Sequence, residues 1–335
     1  MARGRKANPA YGNGAGELLE ALKFLAPAMK AKGTVRQTHC KFAFGMLGAS
    51  NDVLTIGVKV AEKLETCPDY FKLVHALSNC GEDVSITQQD KKTLVVKSGK
   101  FRSKIPCLEL ADIPVRPPNP AVAVINDTIK EALKVASCIA DDEGGRPILK
   151  AVNLSANIAT ATNGYAAVGF WHGIDLPDGL LLPPEAVKAV CLTNKALAGL
   201  GFTDTAVTFH FEDGSFIRTQ RYIDKYPNIR NILRPGFEGC KINEDFYKAV
   251  RTVIPACMAD YVYFRANKVC SHSNPEDGAV VELESMPTGA DGQGFRFDML
   301  LDLEKHTEMA LFDPEGRRMY FSKGNATGVI MGVKA

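Results

Sequence analysis

The chain has 335 residues, enough for two or three domains, and its 46% hydrophobic and 23% charged residues are typical of globular proteins. This composition excludes a collagen-like, disordered or low-complexity chain. The 40 Lys and Arg residues nearly balance the 38 Asp and Glu residues, so any contact with nucleic acid has to come from local clusters of basic side chains.

The first residues, up to about residue 15, are basic and then polar, and no apolar run approaches the roughly 20 residues of a membrane span. We therefore expect a flexible basic tail, no signal peptide and a cytoplasmic protein.

The nine cysteines and six histidines show neither zinc spacing nor a catalytic arrangement, so we expect no metal, no cofactor and no enzyme. One alternative is a nucleotide-dependent enzyme that uses Gly12-Asn-Gly-Ala-Gly16, although no strand leads into this segment.

A helix, a strand, a polar turn and a second strand recur three times along the chain. The turns lie at 88–91, 213–214 and 313–316. The flanking strands are predicted at 84–87 and 93–96, at 206–211 and 215–219, and at 309–312 and 318–321, and the helices begin at Asp69, Pro184 and Asp298.

A second amphipathic helix precedes each of these units. The three helices are predicted at 17–25, 127–140 and 244–254. Passages rich in Pro and Gly at 114–120 and 234–239 separate the copies. We therefore predict an α+β protein made of three copies of one domain, each with two helices packed on antiparallel sheet, at 1–117, 118–238 and 239–335.

Basic side chains recur on these helices, away from the apolar stripes. Pairs spaced three, four or seven residues apart share one helix face. The residues are Lys130 and Lys134, Lys188 and Lys195, Lys248 and Arg251, and in the first copy Lys23, Lys30, Lys32 and Arg36. They form either solvated helix faces or a shallow basic lining that touches phosphates without reading bases, and recurrence in all three copies favours the lining.

Three short stretches carry a family likeness. Arg146-Pro-Ile-Leu149, followed by Ala159-Thr-Ala-Thr-Asn-Gly-Tyr165, resembles an Arg-x-x-Leu element before a strand that ends in Ala-Thr-Asp-Gly-His-Arg-Leu. Segment 217–228 ends in Tyr-Pro-Asn where the family has Tyr/Phe-Pro-Asp, and Val329-Ile-Met-Gly-Val-Lys-Ala335 is similar to the ending Val-Val-Met-Pro-Met-Arg-Leu. The family is the bacterial DNA polymerase III beta subunit, the sliding clamp, and the likeness is weakest in the first domain.

The resemblance implies a head-to-tail homodimer whose helices line a ring around duplex DNA and whose strands form the outer surface. Such a ring tethers a replicative polymerase, meets a clamp loader and needs no cofactor, membrane or catalysis. Departures from the family pattern favour a divergent member, and we expect a phage-encoded one, in the cytoplasm, at the nucleoid or at phage replication sites. The alternative is a protein of this fold that binds clamp partners as a scaffold or decoy without encircling DNA.

The family binds partner peptides in an apolar pocket between its second and third domains. Mapped by motif, the pocket consists of Arg146, Leu149, Thr162, Gly164, Tyr165, Pro227, Ile232, Val329, Ile330, Met331 and Val333. The alternative for 329–331 is merely a last core strand. Asn163-Gly-Tyr-Ala-Ala167 departs from the family's Asp-Gly-His-Arg-Leu, Gly332 replaces a proline, and Pro106 interrupts a strand that the family uses at the dimer edge.

Overall fold

The computed structural model of the protein describes residues 15–81, 83–140, 146–234 and 236–335. Nearly all of the predicted tail therefore lies outside the described residues, as do the first three residues of the glycine segment at 12–16. No helix in the described ranges is long and apolar enough to span a membrane.

The described residues form seven helices and 22 strands. The helices are α1 (Ala15–Leu25), α2 (Val35–Thr38), α3 (Tyr70–Ser78), α4 (Thr128–Ala136), α5 (Pro184–Leu192), α6 (Glu244–Val253) and α7 (Phe297–Leu303). The strands are β1 (Lys41–Ala43), β2 (Met46–Ser50), β3 (Leu54–Lys59), β4 (Cys67–Pro68), β5 (Ser85–Asp90), β6 (Thr93–Ser98), β7 (Phe101–Leu108), β8 (Ala123–Val124), β9 (Val152–Thr162), β10 (Ala166–Leu182), β11 (Leu197–Phe202), β12 (Ala206–Phe211), β13 (Phe216–Gln220), β14 (Cys240–Lys241), β15 (Tyr261–Arg265), β16 (Lys268–Cys270), β17 (Val280–Glu282), β18 (Gln293–Arg296), β19 (Met309–Asp313), β20 (Arg318–Lys323), β21 (Ala326–Met331) and β22 (Val333–Lys334).

The predicted helices are present, and side-chain caps explain where two of them begin. Asp69 accepts a hydrogen bond from the amide of Lys72 at 3.0 Å, and Asn243 accepts one from the amide of Phe246 at 3.0 Å. The prediction of 127–140 for α4 was too long, because the helix ends at Ala136 and the Ser137 hydroxyl then donates to the carbonyl of Lys134.

The first compact unit comprises the described residues of Met1–Asp127 together with Lys188–Arg221. Its larger sheet has the order β1-β2-β3-β13-β12-β11-β8, and its smaller sheet the order β4-β7-β6-β5. In the larger sheet β3 pairs antiparallel with β13, from Phe216 opposite Gly57 to Thr219 opposite Leu54. Gly57 is required there, because an added Cβ would lie 2.3 Å from the Phe216 ring.

The second compact unit comprises Thr128–Val187 and Tyr222–Ala335, described without 141–145 and 235. Its sheets have the orders β14-β19-β20-β21-β10-β9 and β17-β16-β15-β18-β22. In the first of these sheets β21 pairs antiparallel with β10, from Ala166 opposite Ile330 to Phe170 opposite Ala326. Both junctions, β3 with β13 and β10 with β21, therefore join strands from distant parts of the chain within one unit.

The structure differs from the sequence prediction at one turn, and it does not separate the three predicted domains. The turn predicted at 88–91 was wrong in its bounds, because β5 continues through Asp90 past an irregularity in register between Gln88 and Asp90. The compact units distribute the predicted middle domain, 118–238, over both of them, so the division into three domains stays a prediction.

Candidate functional site

A tight turn between β9 and β10 presents Tyr165 at the surface of the second unit. The Asn163 side chain accepts hydrogen bonds from the amides of Tyr165 and Ala166, at 2.9 and 2.8 Å, and the Thr162 hydroxyl donates to the carbonyl of Ala166 at 2.6 Å. Gly164 has a φ of +91°, a conformation that suits glycine, and nothing lies within 4 Å of the place of its missing Cβ. The turn is therefore fixed by its own side chains.

The pairing of β10 with β21 brings the C-terminal strand against this turn. The amide of Met331 donates to the carbonyl of Tyr165 at 2.8 Å, which places the two residues side by side. Val329, two positions earlier on the same face of β21, contributes to a buried cluster. That cluster contains Ile158, Ala167, Ile229, Leu233, Tyr320 and Val329, with Trp171, Tyr226, Phe237 and Leu311 packed against it.

Three partly exposed side chains lie around this cluster, and we call them the apolar patch. Tyr165 is 55% exposed, Ile232 45% and Met331 40%. Ile232 lies in the segment 229–233, whose Ile229 and Leu233 belong to the cluster. Leu233 packs there because β10 has Gly169 at the contact, where an added Cβ would lie 2.7 Å from the Leu233 side chain.

The other residues of the predicted pocket have different positions. Ile330 is 1% exposed and faces the opposite side of β21 from Val329, so it belongs to the core rather than to the patch. Val333 pairs with Gly294 in the five-stranded sheet. Pro227 is exposed beside Tyr226, whose hydroxyl accepts from the Thr162 amide at 3.1 Å and donates to the carbonyl of Ala151 at 3.3 Å.

Leu149 belongs to a short 3-10 segment, Pro147–Lys150, that leads into β9, and Arg146 is the residue directly before this segment. Arg146 is exposed and Leu149 is half-buried. Their link to the patch is the chain that follows them, since the carbonyl of Ala151 receives the Tyr226 hydroxyl. Thr162, Gly164, Tyr165, Val329 and Met331 are thus connected by named contacts, and Ile232 lies in the segment whose Ile229 and Leu233 belong to the same buried cluster as Val329.

Arginines border the patch. The Arg234 guanidinium carbon lies 4.6 Å from the centroid of the Tyr320 ring, and that of Arg296 lies 5.5 Å from the centroid of Tyr165. Arg296 also bonds to Asp298. Arg230 donates to the side-chain oxygen of Asn157 at 3.3 Å.

Several of the cations predicted to face DNA are paired with acids of the chain. Lys23 lies 2.6 Å from Glu20, and Lys248 lies 3.3 Å from Glu244 and 3.4 Å from Asp245. Two further pairs join more distant residues, Lys195 with Asp213 and Arg251 with Glu304. Burial alone would raise the pKa of Asp213, but hydrogen bonds from Lys195 and Ser215 lower it below its ordinary value.

Five of the other six cations predicted to face DNA are not paired with an acid in the described ranges. In the described ranges Lys30, Lys32, Arg36, Lys134 and Lys188 are exposed and have no acid within salt-bridge distance. Lys130 is half-buried on α4. Across the part of the chain that the structure describes, no group of three or more His, Cys, Asp and Glu side chains has metal-binding geometry.

No family model and no curated protein sequence matches the chain. Solved structures do match it over 96% of its length. The DNA polymerase III subunit beta from Pseudomonas aeruginosa has a TM-score of 0.80 at 15% identity, with 98% of that chain covered. The chain has the fold of the bacterial sliding clamps.

Two further structures with the clamp fold were solved with ligands. The sliding clamp from Bartonella birtlesii, bound to griselimycin, has a TM-score of 0.77 at 15% identity and is covered over 98%. The Helicobacter pylori beta clamp bound to a DNA ligase peptide has a TM-score of 0.74 at 12% identity and is covered over 99%. The family resemblance predicted from the sequence is thus confirmed at the level of the fold.

Sequence reasoning missed several residues that the clamp fold brings to the patch. Tyr320 and Arg234 come from elements that the sequence motifs do not include, and they meet only because β20, β21 and β10 are neighbours. The unbroken apolar run Met319, Tyr320, Phe321 was the one indication in the sequence, since such a run is consistent with a strand that buries side chains on both faces. It could not indicate which of those side chains lies beneath the patch.

Proposed function

We propose that the protein is a DNA sliding clamp, a head-to-tail homodimeric ring that encircles duplex DNA and tethers a replicative polymerase and other partners by short peptides. The observation that carries the proposal is the match to clamps over 96% of this chain and 98% of the Pseudomonas aeruginosa chain. The ring would act in the cytoplasm, it would be loaded by a clamp loader, and its action is topological rather than catalytic.

Two strand edges with open positions in the described part of the chain support the dimer. Three runs of antiparallel strands recur along the chain, β5–β7, β11–β13 and β19–β21. The third strand of two of these runs joins a distant strand, since β13 pairs with β3 and β21 with β10. The third strand of the remaining run is β7, and β4 pairs only with Cys107 and Leu108 of it. In the second unit, β17 is the edge of the five-stranded sheet. Joining β7 of one copy to β17 of another would repeat the internal arrangement.

The backbone of both edges has free hydrogen-bonding positions. The amide of Cys107 donates to the carbonyl of Lys92, which directly precedes β6, so the alternate residues Arg102 and Lys104 direct their amides away from β6. The amide of Ser271 donates to Ala279, and that of Leu283 donates to Asn267, so Val280 and Glu282 are directed away from β16. Each edge therefore offers two outward amides.

The side chains on these edges have opposite charge. Arg102 and Lys104 are exposed on β7, whereas Glu282 is exposed on β17, where it also contacts Lys268 at 3.3 Å. Opposite charges on facing strands favour pairing, and like charges disfavour it. This complementarity favours pairing of the two different edges over pairing of either edge with itself.

A second candidate function is a scaffold or decoy of the clamp fold that binds clamp partners without encircling DNA. The specific observation in its favour is that Lys23, Lys195, Lys248 and Arg251 are ion-paired with acids of the chain. A paired cation contributes less to the attraction of phosphates than a free one. The two candidates differ in whether the protein must form a closed ring.

The first experiment is negative-stain electron microscopy with the mass measured by light scattering. The proposal expects closed rings at twice the chain mass. Lys104→Pro should yield monomers, because it removes an outward amide without touching the bonds to β6, whereas Lys104→Gln should keep the dimer. Circular dichroism of both variants checks that they fold. A monomeric wild-type protein would remove the ring and leave the scaffold as the better candidate.

A further inference from the structure

The arginines that follow the buried Ile229 and Leu233 are not neutralised by acids. Arg230 donates to the amide oxygen of Asn157, and Arg234 lies over the Tyr320 ring. Among the residues that the structure describes, neither has a carboxylate within salt-bridge distance. Both side chains belong to exposed residues next to Ile232 of the apolar patch.

One acid near the patch is already engaged, since Asp298 bonds to Arg296, which lies over the Tyr165 ring. The side of the patch that carries Arg230 and Arg234 is therefore left with two guanidinium groups beside exposed apolar carbon. An apolar surface with unpaired cations at its rim is complementary to an apolar segment that carries carboxylates.

The aromatic side chains here do not suit nucleic acid. Binding of single strands depends on bases that stack on open aromatic faces. Tyr320 is 2% exposed beneath Arg234, and Arg296 lies over the ring of Tyr165. A peptide needs no open ring face, because its aliphatic or aromatic side chains pack on the flexible Met331 and on Ile232.

We propose that the apolar patch binds a short acidic peptide, in which an Asp or Glu carboxylate next to the apolar anchors pairs with Arg234, and in which Arg230 adds to the attraction. The inference rests on the proposed function and deepens it by naming the chemical class of the partner peptide. The guanidinium of Arg234 is held in place by Tyr320 before the peptide arrives, so pairing with a carboxylate costs little side-chain entropy.

The test uses two fluorescein-labelled peptides with the same centre, Leu-Leu-Phe, flanked on both sides by two aspartates or by two asparagines. Each is titrated with the full-length protein, and binding is followed by fluorescence anisotropy. We expect the aspartate peptide to bind about tenfold more tightly than the asparagine peptide at low salt. The advantage should shrink at high salt, because exposed charges are screened.

Variants assign the effect to the two arginines. Arg234→Gln should remove most of the advantage of the aspartate peptide, Arg230→Gln should remove a smaller part, and both should leave the asparagine peptide unchanged. Lys91→Gln, which removes an exposed cation from the β5–β6 turn of the first unit, should change neither titration. Thermal unfolding of each variant checks that the fold persists.

Each alternative outcome has a distinct meaning. Equal binding of the two peptides, or equal loss of both in Arg234→Gln, would overturn the acidic specificity while leaving a peptide site and the clamp function standing. Binding of neither peptide would overturn the peptide site itself, whatever electron microscopy finds about the ring. Displacement of the aspartate peptide by single-stranded oligothymidine at equal concentration would mean that the arginines serve nucleic acid instead.

Discussion

The cations of α6 and the two arginines Arg230 and Arg234 beside the apolar patch are held by different partners. Lys248 on α6 contacts two carboxylates of its own helix, and Arg251 on the same helix bonds to Glu304. Arg234 instead lies over a tyrosine ring, and Arg230 contacts a neutral amide. A ring or an amide orients a guanidinium without cancelling its charge, whereas a carboxylate does both. Arg230 and Arg234 therefore keep their charge available to an anion, as do the exposed Lys134 on α4 and Lys188 on α5, whereas Lys248 and Arg251 on α6 are largely neutralised.

Removal of the Tyr320 ring beneath Arg234 should have the largest effect on stability. Tyr320 belongs to the buried cluster and is 2% exposed, so Tyr320→Ala should lower the free energy of unfolding by about 3–5 kcal/mol. Denaturant titration measures this loss. Tyr320→Phe keeps the ring and loses only the 3.4 Å contact with Arg318, so it should cost about 1 kcal/mol or less. Equal effects of the two variants would contradict the role assigned to the ring.

The next largest effect is expected from the titration of His172, a buried histidine whose pKa is also lowered by the charge of Arg230. Burial is the main cause that lowers the pKa of His172 to about 4, and Arg230 lowers it further. The Ile174 amide donates to Nδ1 of His172 at 3.2 Å, so protonation of this nitrogen would break that bond.

Because the folded pKa of His172 lies below the ordinary value of 6.5, the unfolded chain binds the proton first as the pH falls. The free energy of unfolding should therefore decrease from pH 6.5 towards pH 4, by about 3 kcal/mol at most from this residue. Denaturant titrations across this range should show the decrease, and His172→Phe should flatten it. His75→Phe, at an exposed position, is the control, and an unchanged slope in His172→Phe would contradict the assignment.

The smallest effect on stability is expected when the carboxylate that pairs with Arg251 on α6 is removed. Glu304→Gln leaves Arg251 without its carboxylate and should change stability by less than about 1 kcal/mol, because both side chains are partly exposed. If α6 faces DNA in the ring, the slope of log affinity for duplex DNA against log salt should steepen by about 0.9 per freed cation. Glu315→Gln removes an equal charge from an exposed turn and should leave the slope unchanged. Identical slopes in both variants would argue against a DNA-facing Arg251.

The parts of the fold that local residues determine were predictable. Asp69 and Asn243 mark helix starts by capping, and β12 was predicted with its observed bounds, Ala206–Phe211. Long-range pairing was not predictable, because hydrophobic alternation does not specify the partner of a strand. Only the structure shows that β21 pairs with β10, and that Val329 packs in the cluster beneath the patch while Ile330 is buried on the opposite face of β21.

The ion pairs illustrate the same limit for the candidate site. Lys248 and Glu244 are four residues apart on one helix, a spacing that predicts their contact. Arg251 and Glu304 lie 53 residues apart, and nothing local connects them. Sequence reasoning therefore found the basic residues but could not tell which of them keep an uncompensated charge.

Pro106 has a consequence for how a ring would open. Its carbonyl receives the Asp69 amide, so the residue is directed away from β6, yet proline has no amide to offer to a second copy. On the β7 side the joint of the proposed ring would therefore depend on the amides of Arg102 and Lys104, where another residue at position 106 would offer a third. Pro106 thus sets the length of the ladder that two copies would have to separate to admit a closed DNA circle.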